Sequence, residues 1–342
     1  MRLFFYSSPY KYYADNLIPI AEYAKDSGHT VYGSYCLNKA NNISSVIETP
    51  IISKPISNNP LKMFLSGRLP VDAVILTQPW WYMERNIVRF CNRMGIPFYI
   101  VDHAPIMTEY EERGGRESHM YRSSLFGARM FFSYGQRTID IMKKKGCREN
   151  MISIGSPRLE DMLGSIEQSR LSYKKKKKIA VLYDTSDKME DKVAVKNMML
   201  LKKDLDKRGE WEFLLREHPR SPGLFRQLCD KFENFNLSKK RSESELCAIS
   251  ALSIFSFPSS SMIINAMAKN NIVSIYGNHF SYHARKYSKK YDDVIFNYVY
   301  GSFNYDAIMR QKKYKKFLKE NIKLLSVPSK IRILRYIEED LK

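Results

Sequence analysis

The residues best equipped for chemistry are Arg216-Glu217-His218-Pro219-Arg220 and, roughly forty residues later, Ser259-Ser260-Ser261. The His-Pro pair follows an apolar run, 211–215, that reads as a strand, so the imidazole stands where a buried strand gives way to a loop. The serines follow Ile254-Phe255-Ser256-Phe257-Pro258 and open a helix read over 262–269. Backbone N–H groups and the dipole at a helix start favour an anion, and a strand-end imidazole adds a further donor. Together they are suited to hold a phosphate, which points to a nucleotide-activated donor. Each feature alone has a plainer reading, a loop-capping histidine and a serine N-cap. Three consecutive hydroxyls exceed what a cap requires.

A third element is Gly155-Ser156-Pro157-Arg158-Leu159-Glu160-Asp161-Met162-Leu163. Proline at an early helical position and acids in the first turn read as a turn into a helix. That reading leaves Arg158 unexplained, and its guanidinium is suited to clamp a phosphate. Asp102 and His103 close the apolar strand 98–101. Either is placed to take a proton from an acceptor hydroxyl, the plainer alternative being a pair that stabilises a loop. Trp80 and Trp81 follow Pro79 at another strand end, where they would stack on an acceptor sugar or simply pack. Glu111, Glu112 and His119 lie in a charge-rich loop and are weaker acceptor-side candidates. His29 reads as a helix-end dipole partner, and His279 and His283 as surface-loop residues.

On these residues the sequence resembles two-domain GT-B glycosyltransferases of the CDP-glycerol glycerophosphotransferase type. Their Gly-x-Pro-Arg-x-Asp-x-Leu signature matches Gly155, Pro157, Arg158, Asp161 and Leu163, with one extra residue before the Asp. Their His-Pro motif matches His218-Pro219, and their Ser-Ser pair matches Ser260-Ser261. Bacterial sialyltransferases and polysialyltransferases are similar in using His-Pro with Ser or Thr to hold CMP. The resemblance covers mainly residues 130–277. It departs where Asn265 stands in place of the Asp that usually follows the serine pair, and where Asp102-His103-Ala104 lacks the family's His-Gly. It implies a donor site built from Arg158, His218, Pro219, Arg220, Ser259, Ser260, Ser261 and Asn265, with Asp102 or His103 as base. Apart from the resemblance, Trp80, Trp81, Glu111 and Glu112 are read as the acceptor side, although the sialyltransferases' acidic pair followed by Gly is not matched.

The elements that must position these residues alternate between strand and helix. Strands are read over 3–6, 30–35, 73–77, 97–101, 130–133 and 152–154, with helices over 15–27 and 136–145. After a polar, lysine-rich stretch the alternation restarts, with strands over 179–183, 211–215, 252–257 and 272–276 and helices over 192–208, 222–232 and 243–250. The expectation is an α/β chain of the GT-B type, two Rossmann-like doubly wound domains facing a central cleft. Residues 1–165 form an N-terminal Rossmann-like acceptor domain and 166–178 a basic linker. Residues 179–310 form a C-terminal nucleotide-donor domain and 311–342 a basic helical tail.

Composition bounds the rest. The 342 residues suit two domains, and the 44% hydrophobic and 13% aromatic content is that of a globular chain. No apolar run reaches eighteen residues, the first segment lacks a signal-peptide pattern, and five dispersed cysteines form no CxxC. A cytoplasmic protein, peripheral at the inner membrane face, is expected. Lys and Arg number 56 against 36 Asp and Glu, a net charge of +20. The excess suits an anionic membrane surface or anionic polymer; without a recognition motif, nucleic acid is disfavoured. The chemistry expected is direct displacement from a CMP- or CDP-linked donor substrate onto a glycan or teichoic-acid-like acceptor. No cofactor or metal is implied. Two other readings compete: a UDP-N-acetylglucosamine 2-epimerase-like enzyme, and a non-catalytic protein binding anionic polymer or nucleic acid.

Overall fold

A computed structural model describes residues 1–7, 14–39, 42–48, 60–77, 79, 82–103, 124–173, 178–184, 192–217, 223, 225–238, 241–256, 259–275, 290–298, 303–310 and 314–342. The chain divides into two compact units. One contains Met1–Ile106, Glu111–Asp161 and Lys319–Lys342, the other Met107–Tyr110 and Met162–Leu318.

In the first unit seven strands lie in the order β3-β2-β1-β4-β5-β6-β7, namely β1 (Arg2–Ser7), β2 (Thr30–Lys39), β3 (Asn42–Glu48), β4 (Ala73–Leu76), β5 (Phe98–Val101), β6 (Met130–Ser133) and β7 (Met151–Ser153). All pairings are parallel except β2 with β3. Strand side chains alternate between faces, so a sheet covered on both sides needs apolar residues at every position. Phe4, Tyr6, Val74, Leu76, Phe98, Ile100 and Phe131 pack on one face with helices α2 (Pro60–Leu65), α3 (Tyr82–Met94) and α4 (Gln136–Lys144). Leu3, Phe5, Ala73, Ile75, Tyr99, Val101 and Phe132 face the other way, against α1 (Ile18–Asp26) and the C-terminal helix α12 (Ser329–Asp340). Phe64 of α2 stacks 4.8 Å from Phe4 and meets Phe90 of α3 edge-on at 4.9 Å. Burial of such a ring contributes about 2–3 kcal/mol.

The second unit carries a wholly parallel sheet in the order β10-β9-β8-β11-β12-β13. Its strands are β8 (Lys178–Tyr183), β9 (Trp211–Arg216), β10 (Phe235–Leu237), β11 (Leu252–Phe255), β12 (Asn271–Ser274) and β13 (Ile295–Asn297). Numbered within the unit this is the 3-2-1-4-5-6 order of the Rossmann fold. Its helices are α6 (Lys192–Asp206), α7 (Arg226–Lys231), α8 (Glu243–Ile249), α9 (Ser260–Met267) and α10 (Tyr305–Met309). Ala180, Leu182, Phe213, Leu215, Leu252, Ile254 and Val273 pack against Ala194, Met198, Leu201 and Leu205 of α6.

One domain expectation is corrected here. The stretch expected as a linker over 166–178 is largely helical: α5 runs Pro157–Ser172, and β8 begins at Lys178. Polarity signalled a linker because within 166–173 only Ile166 is buried, leaving the helix surface there mostly polar and exposed. Arg170 fastens its end within the second unit, Nη2 donating to the Ala268 carbonyl at 2.6 Å and to Asn270 Oδ1 at 2.8 Å. Residues 311–342, expected as a basic helical tail, carry two helices and divide between the units. Helix α11 (Tyr314–Asn321) begins in the second unit, and 319–342 belong to the first. There Ile333, Leu334 and Ile337 of α12 are buried in the core, Tyr99 Oη donates to Asp340 at 2.6 Å, and His29 meets Glu338 at 2.8 Å. His29 is thus a tether for the returning chain rather than a helix-end dipole partner.

Candidate functional site

In doubly wound sheets ligands bind beyond the carboxyl ends of the strands, where the strand order reverses. In the first unit that point lies between β1 and β4, where Ser7 Oγ and Thr77 Oγ1 meet at 3.2 Å, both buried. Asp102 and His103 follow β5 at the same edge and are only 2% and 5% exposed. The Ser133 hydroxyl, at the end of β6, lies 3.4 Å from Asp102 Oδ2 and 3.0 Å from the Gly135 carbonyl. The His103 carbonyl accepts from Tyr134 Oη at 3.2 Å and Asn16 Nδ2 at 3.5 Å. Asn16 Oδ1 in turn accepts from Tyr134 Oη and, at 3.5 Å, from Ser156 Oγ. A dry setting penalises charge, so burial pulls the His103 imidazole down to about 4 and pushes the Tyr134 phenol up to about 12. His103 is therefore neutral near pH 7.

The Gly155–Leu163 segment joins this edge. Ser156 caps α5, its hydroxyl accepting from the Leu159 N–H at 3.2 Å. Pro157 occupies the first helical position, where no N–H is needed. Gly155 has φ +99°, and a Cβ there would fall 2.5 Å from the Lys323 carbonyl oxygen. Glu160 receives the Ser329 N–H and hydroxyl at 2.7 and 2.8 Å, so it caps α12, while Asp161 pairs with Lys330 at 3.3 Å. Most of the motif thus docks the returning chain. Arg158 is the exception. A cation in the first turn of a helix opposes the dipole, and its charge acts on the Tyr134 hydroxyl. It belongs to the edge that carries Asp102.

In the second unit the strand order reverses between β8 and β11. Asp184, just past β8, lies 3.4 Å from Ser256 Oγ, just past β11. Arg216 ends β9, and its guanidinium is 3.6 Å from Glu243 on α8. The same carboxylate accepts the Ser261 hydroxyl at the start of α9. Ser259 is the N-cap of α9, with extended backbone, yet its hydroxyl does not cap the helix. That oxygen is buried without a hydrogen-bond partner among the described residues, an arrangement that a bound ligand's polar atom would satisfy. Ser260 occupies the first helical position. Two carboxylates share this edge, so it is not a simple cationic patch; an anion would rely on N–H groups and hydroxyls.

Asn265 does not present its amide to this edge. It is 0% exposed, its oxygen accepting from Ser253 at 2.6 Å and Asn270 at 2.9 Å, its nitrogen donating to the Ser261 carbonyl at 2.8 Å. It fixes α9 from beneath, so its expected donor-binding role becomes one of support. His218, Pro219, Arg220, Trp80, Trp81, Glu111 and Glu112 lie outside the described residues. So do His119, His279 and His283. What is described is how the His-Pro segment is bounded: Glu217 before it receives Arg226 after it through two bonds of 3.1 and 2.7 Å. Asn16, Tyr134, Asp184 and Glu243 escaped the sequence reading, and Ser156 was seen only as part of its motif. Tyr134 and Asp184 follow buried strands directly, a signal that could have found them. Asn16 arrives from the turn before α1 and Glu243 from the start of α8, and neither carries a local signal. Among the described residues no group of three or more His, Cys, Asp or Glu side chains is placed to hold a metal ion. Also among them, no helix is long and apolar enough to cross a membrane.

No protein-family model matches the chain, and no curated protein matches it. Solved structures do. The UDP-GlcNAc 2-epimerase of Methanocaldococcus jannaschii matches with a TM-score of 0.66 at 12% identity, over 99% of this chain and 100% of that one. MnaA of S. aureus, in a structure with UDP, gives 0.64 at 11% identity, over 100% and 97% of the two chains. The wall teichoic acid polymerase TagF, in an H444N variant with CDPG, gives 0.56 at 16% identity, over 99% and 89%. The fold is α/β, with two Rossmann-like doubly wound units of the GT-B type. At these identities the likeness concerns fold.

Proposed function

We propose that the chain is a transferase that moves a glycosyl or polyol-phosphate group from a CMP- or CDP-linked donor to a glycan or teichoic-acid-like acceptor. The observation that carries this reading is the carboxyl edge of the second sheet. Arg216, Glu243, Ser261 and the Ser259 hydroxyl, which has no partner among the described residues, lie there on the strand ends and helix starts. The fold likeness to TagF with CDPG and to MnaA with UDP supports a nucleotide ligand.

In this reading residues 179–310 bind the donor and 1–165 serve the acceptor, with Trp80, Trp81, Glu111 and Glu112 on the acceptor side. The acceptor O–H gives its proton to the Asp102 carboxylate as its oxygen bonds to the transferred centre. Asp102 is preferred to His103 because, in the same buried setting, a proton neutralises a carboxylate but places a charge on an imidazole. The donor bond to the nucleotide phosphate breaks, and its electron pair leaves with that phosphate. His218, the Ser260-Ser261 helix start, Arg158 and Arg220 offset the charge that builds there. The protein works in the cytoplasm, its +20 charge favouring the anionic inner membrane face.

Isothermal titration with CMP, CDP, UDP and GDP tests the donor. Binding of a cytidine nucleotide that His218→Ala weakens is expected; no binding, or equal binding by the variant, rejects the assignment. The higher TM-scores to the epimerases favour a second reading, a UDP-GlcNAc 2-epimerase-like enzyme. Turnover of a UDP-sugar with no acceptor present would establish it. Steeply salt-dependent DNA binding without nucleotide binding would instead support a non-catalytic polymer-binding protein.

A further inference from the structure

We propose that Glu243 is a positioning residue for nucleotide binding, its carboxylate holding Arg216 and Ser261 in one charged triad across the edge of the second sheet; this rests on the donor-site reading above. Glu243 is the first residue of α8, where the helix dipole favours a carboxylate, and a capping box fixes that turn. The Ser242 N–H donates to Glu245 at 2.6 Å, and the Glu245 N–H donates to the Ser242 hydroxyl at 3.2 Å. Anchored this way, the Glu243 side chain is only 11% exposed. It accepts the Ser261 hydroxyl and stands 3.6 Å from Arg216.

The geometry gives the triad its reach. Arg216 ends β9, two residues before His218, and Ser261 lies in the first turn of α9, which follows β11. In the sheet β9 and β11 flank β8 on opposite sides. One carboxylate therefore ties the strand that leads into the His-Pro segment to the helix start that carries the serines. Arg216 is 35% exposed and keeps donor capacity toward a phosphate at this edge. Packing of α8 on α9 does not depend on Glu243, because Cys247, one turn further on, contacts Asn265 at 3.4 Å and Asn270 at 3.4 Å.

Charge alone and positioning give opposite expectations. Removing a negative charge beside a phosphate site tightens phosphate binding by Coulomb attraction. Removing the positioner loosens it. The test is titration of the full-length protein with CDP and CMP, using Glu243→Gln, Glu243→Asp, Ser261→Ala and the double variant Glu243→Gln/Ser261→Ala. Thermal unfolding of each variant is followed alongside. Glu243→Gln is expected to weaken CDP binding roughly tenfold, the scale of one hydrogen bond to a charged group. Glu243→Asp, which keeps the charge, recovers part of the loss. The double variant is expected to be no weaker than the weaker single one, since both changes break one unit. Should Glu243→Gln not fold, the cycle is run with Glu243→Asp under the same criteria. Unchanged or tighter binding by Glu243→Gln, or single effects that add, overturns this inference alone. No binding of either nucleotide by the unaltered protein overturns it together with the donor-site reading.

Discussion

In the first unit the strands end on Ser7, Asp102, Ser133 and Tyr134; in the second they end on Asp184, Arg216 and Ser256. The same Rossmann geometry thus delivers a buried acid, a neutral imidazole and a phenol to one edge. At the other edge it delivers an ion pair and a hydroxyl-rich helix start. The difference lies in how the groups around Asp102 and those at the start of α9 are arranged. Ser133 lies against the Asp102 carboxylate, while Asn16, Tyr134 and Ser156 interlock at the His103 backbone carbonyl, and both side chains are buried. The start of α9 keeps a buried hydroxyl without a partner among the described residues. A buried acid suits proton transfer, and unfilled donor capacity suits an incoming anion. One fold supports both because strand ends are free to vary while the strands themselves are held by burial.

The sharpest way to break this contrast is Asp102→Asn. It keeps the shape and removes the base, so transfer is expected to fall by about 100-fold or more, with nucleotide affinity unchanged. Single-turnover rates and titration of the same variant read the two quantities. Equal loss in both would erase the division between the edges.

The next effect is on stability. An imidazole whose folded pKa lies near 4, against 6.5 in the unfolded chain, binds fewer protons folded than unfolded between those values. Its contribution is intact above about pH 6.5 and is lost as pH falls toward 4, on the order of 3 kcal/mol in all. Denaturation curves from pH 7 to 4 should therefore be flatter for His103→Gln than for the unaltered protein. Parallel curves would show that His103 is wetter than its burial implies.

The docking of the returning chain separates the units in another way. Gly155→Ala meets both a left-handed backbone and the Lys323 carbonyl, and a loss of about 2–3 kcal/mol is expected. Gly164 lies in helix α5 with nothing near its missing Cβ, so Gly164→Ala should gain about 0.5–1 kcal/mol. Urea titration checks both, with proteolysis near residues 322–328 reporting whether the loss is local to the first unit.

How much of this was legible beforehand depends on what each residue touches. Strand β6 appears at Met130–Ser133 as read, and β1, β5 and β8 within a residue of their reading. Burial on both faces leaves an unbroken apolar run for each. Strand β3 was not foreseen, since it pairs antiparallel at the sheet edge and its Asn42-Ile43-Ser44-Ser45 start breaks the apolar pattern. Helix α3 was missed although Ile87, Val88, Phe90 and Cys91 carry a helical period. Asp102 and His103 were visible because a polar pair ends an apolar strand. The support roles of Glu160 and Asn265 were not, because Ser329 and Asn270 reach them only through the folded chain. Short motifs show which residues are unusual, and only packing shows whether they face a ligand or a neighbour.

The smallest expected effect separates support from chemistry at the second edge. Arg226 and Glu217 close the ends of the segment that carries His218-Pro219, and Arg226 is well exposed. An exposed pair adds little to global stability, and salt screens it further. Arg226→Ala should leave the unfolding transition where it is. Ligand binding is a separate matter, because a pair that fixes Glu217 against Arg226 lowers the entropy lost when a ligand binds beside them. Nucleotide binding should therefore weaken only a few-fold, and the difference between variant and unaltered protein should shrink as sodium chloride rises. Titration at low and high salt reads this directly. A salt-independent loss would assign Arg226 to contact with the nucleotide itself, and no loss would show that the Glu217–Arg226 pair has no part in nucleotide binding.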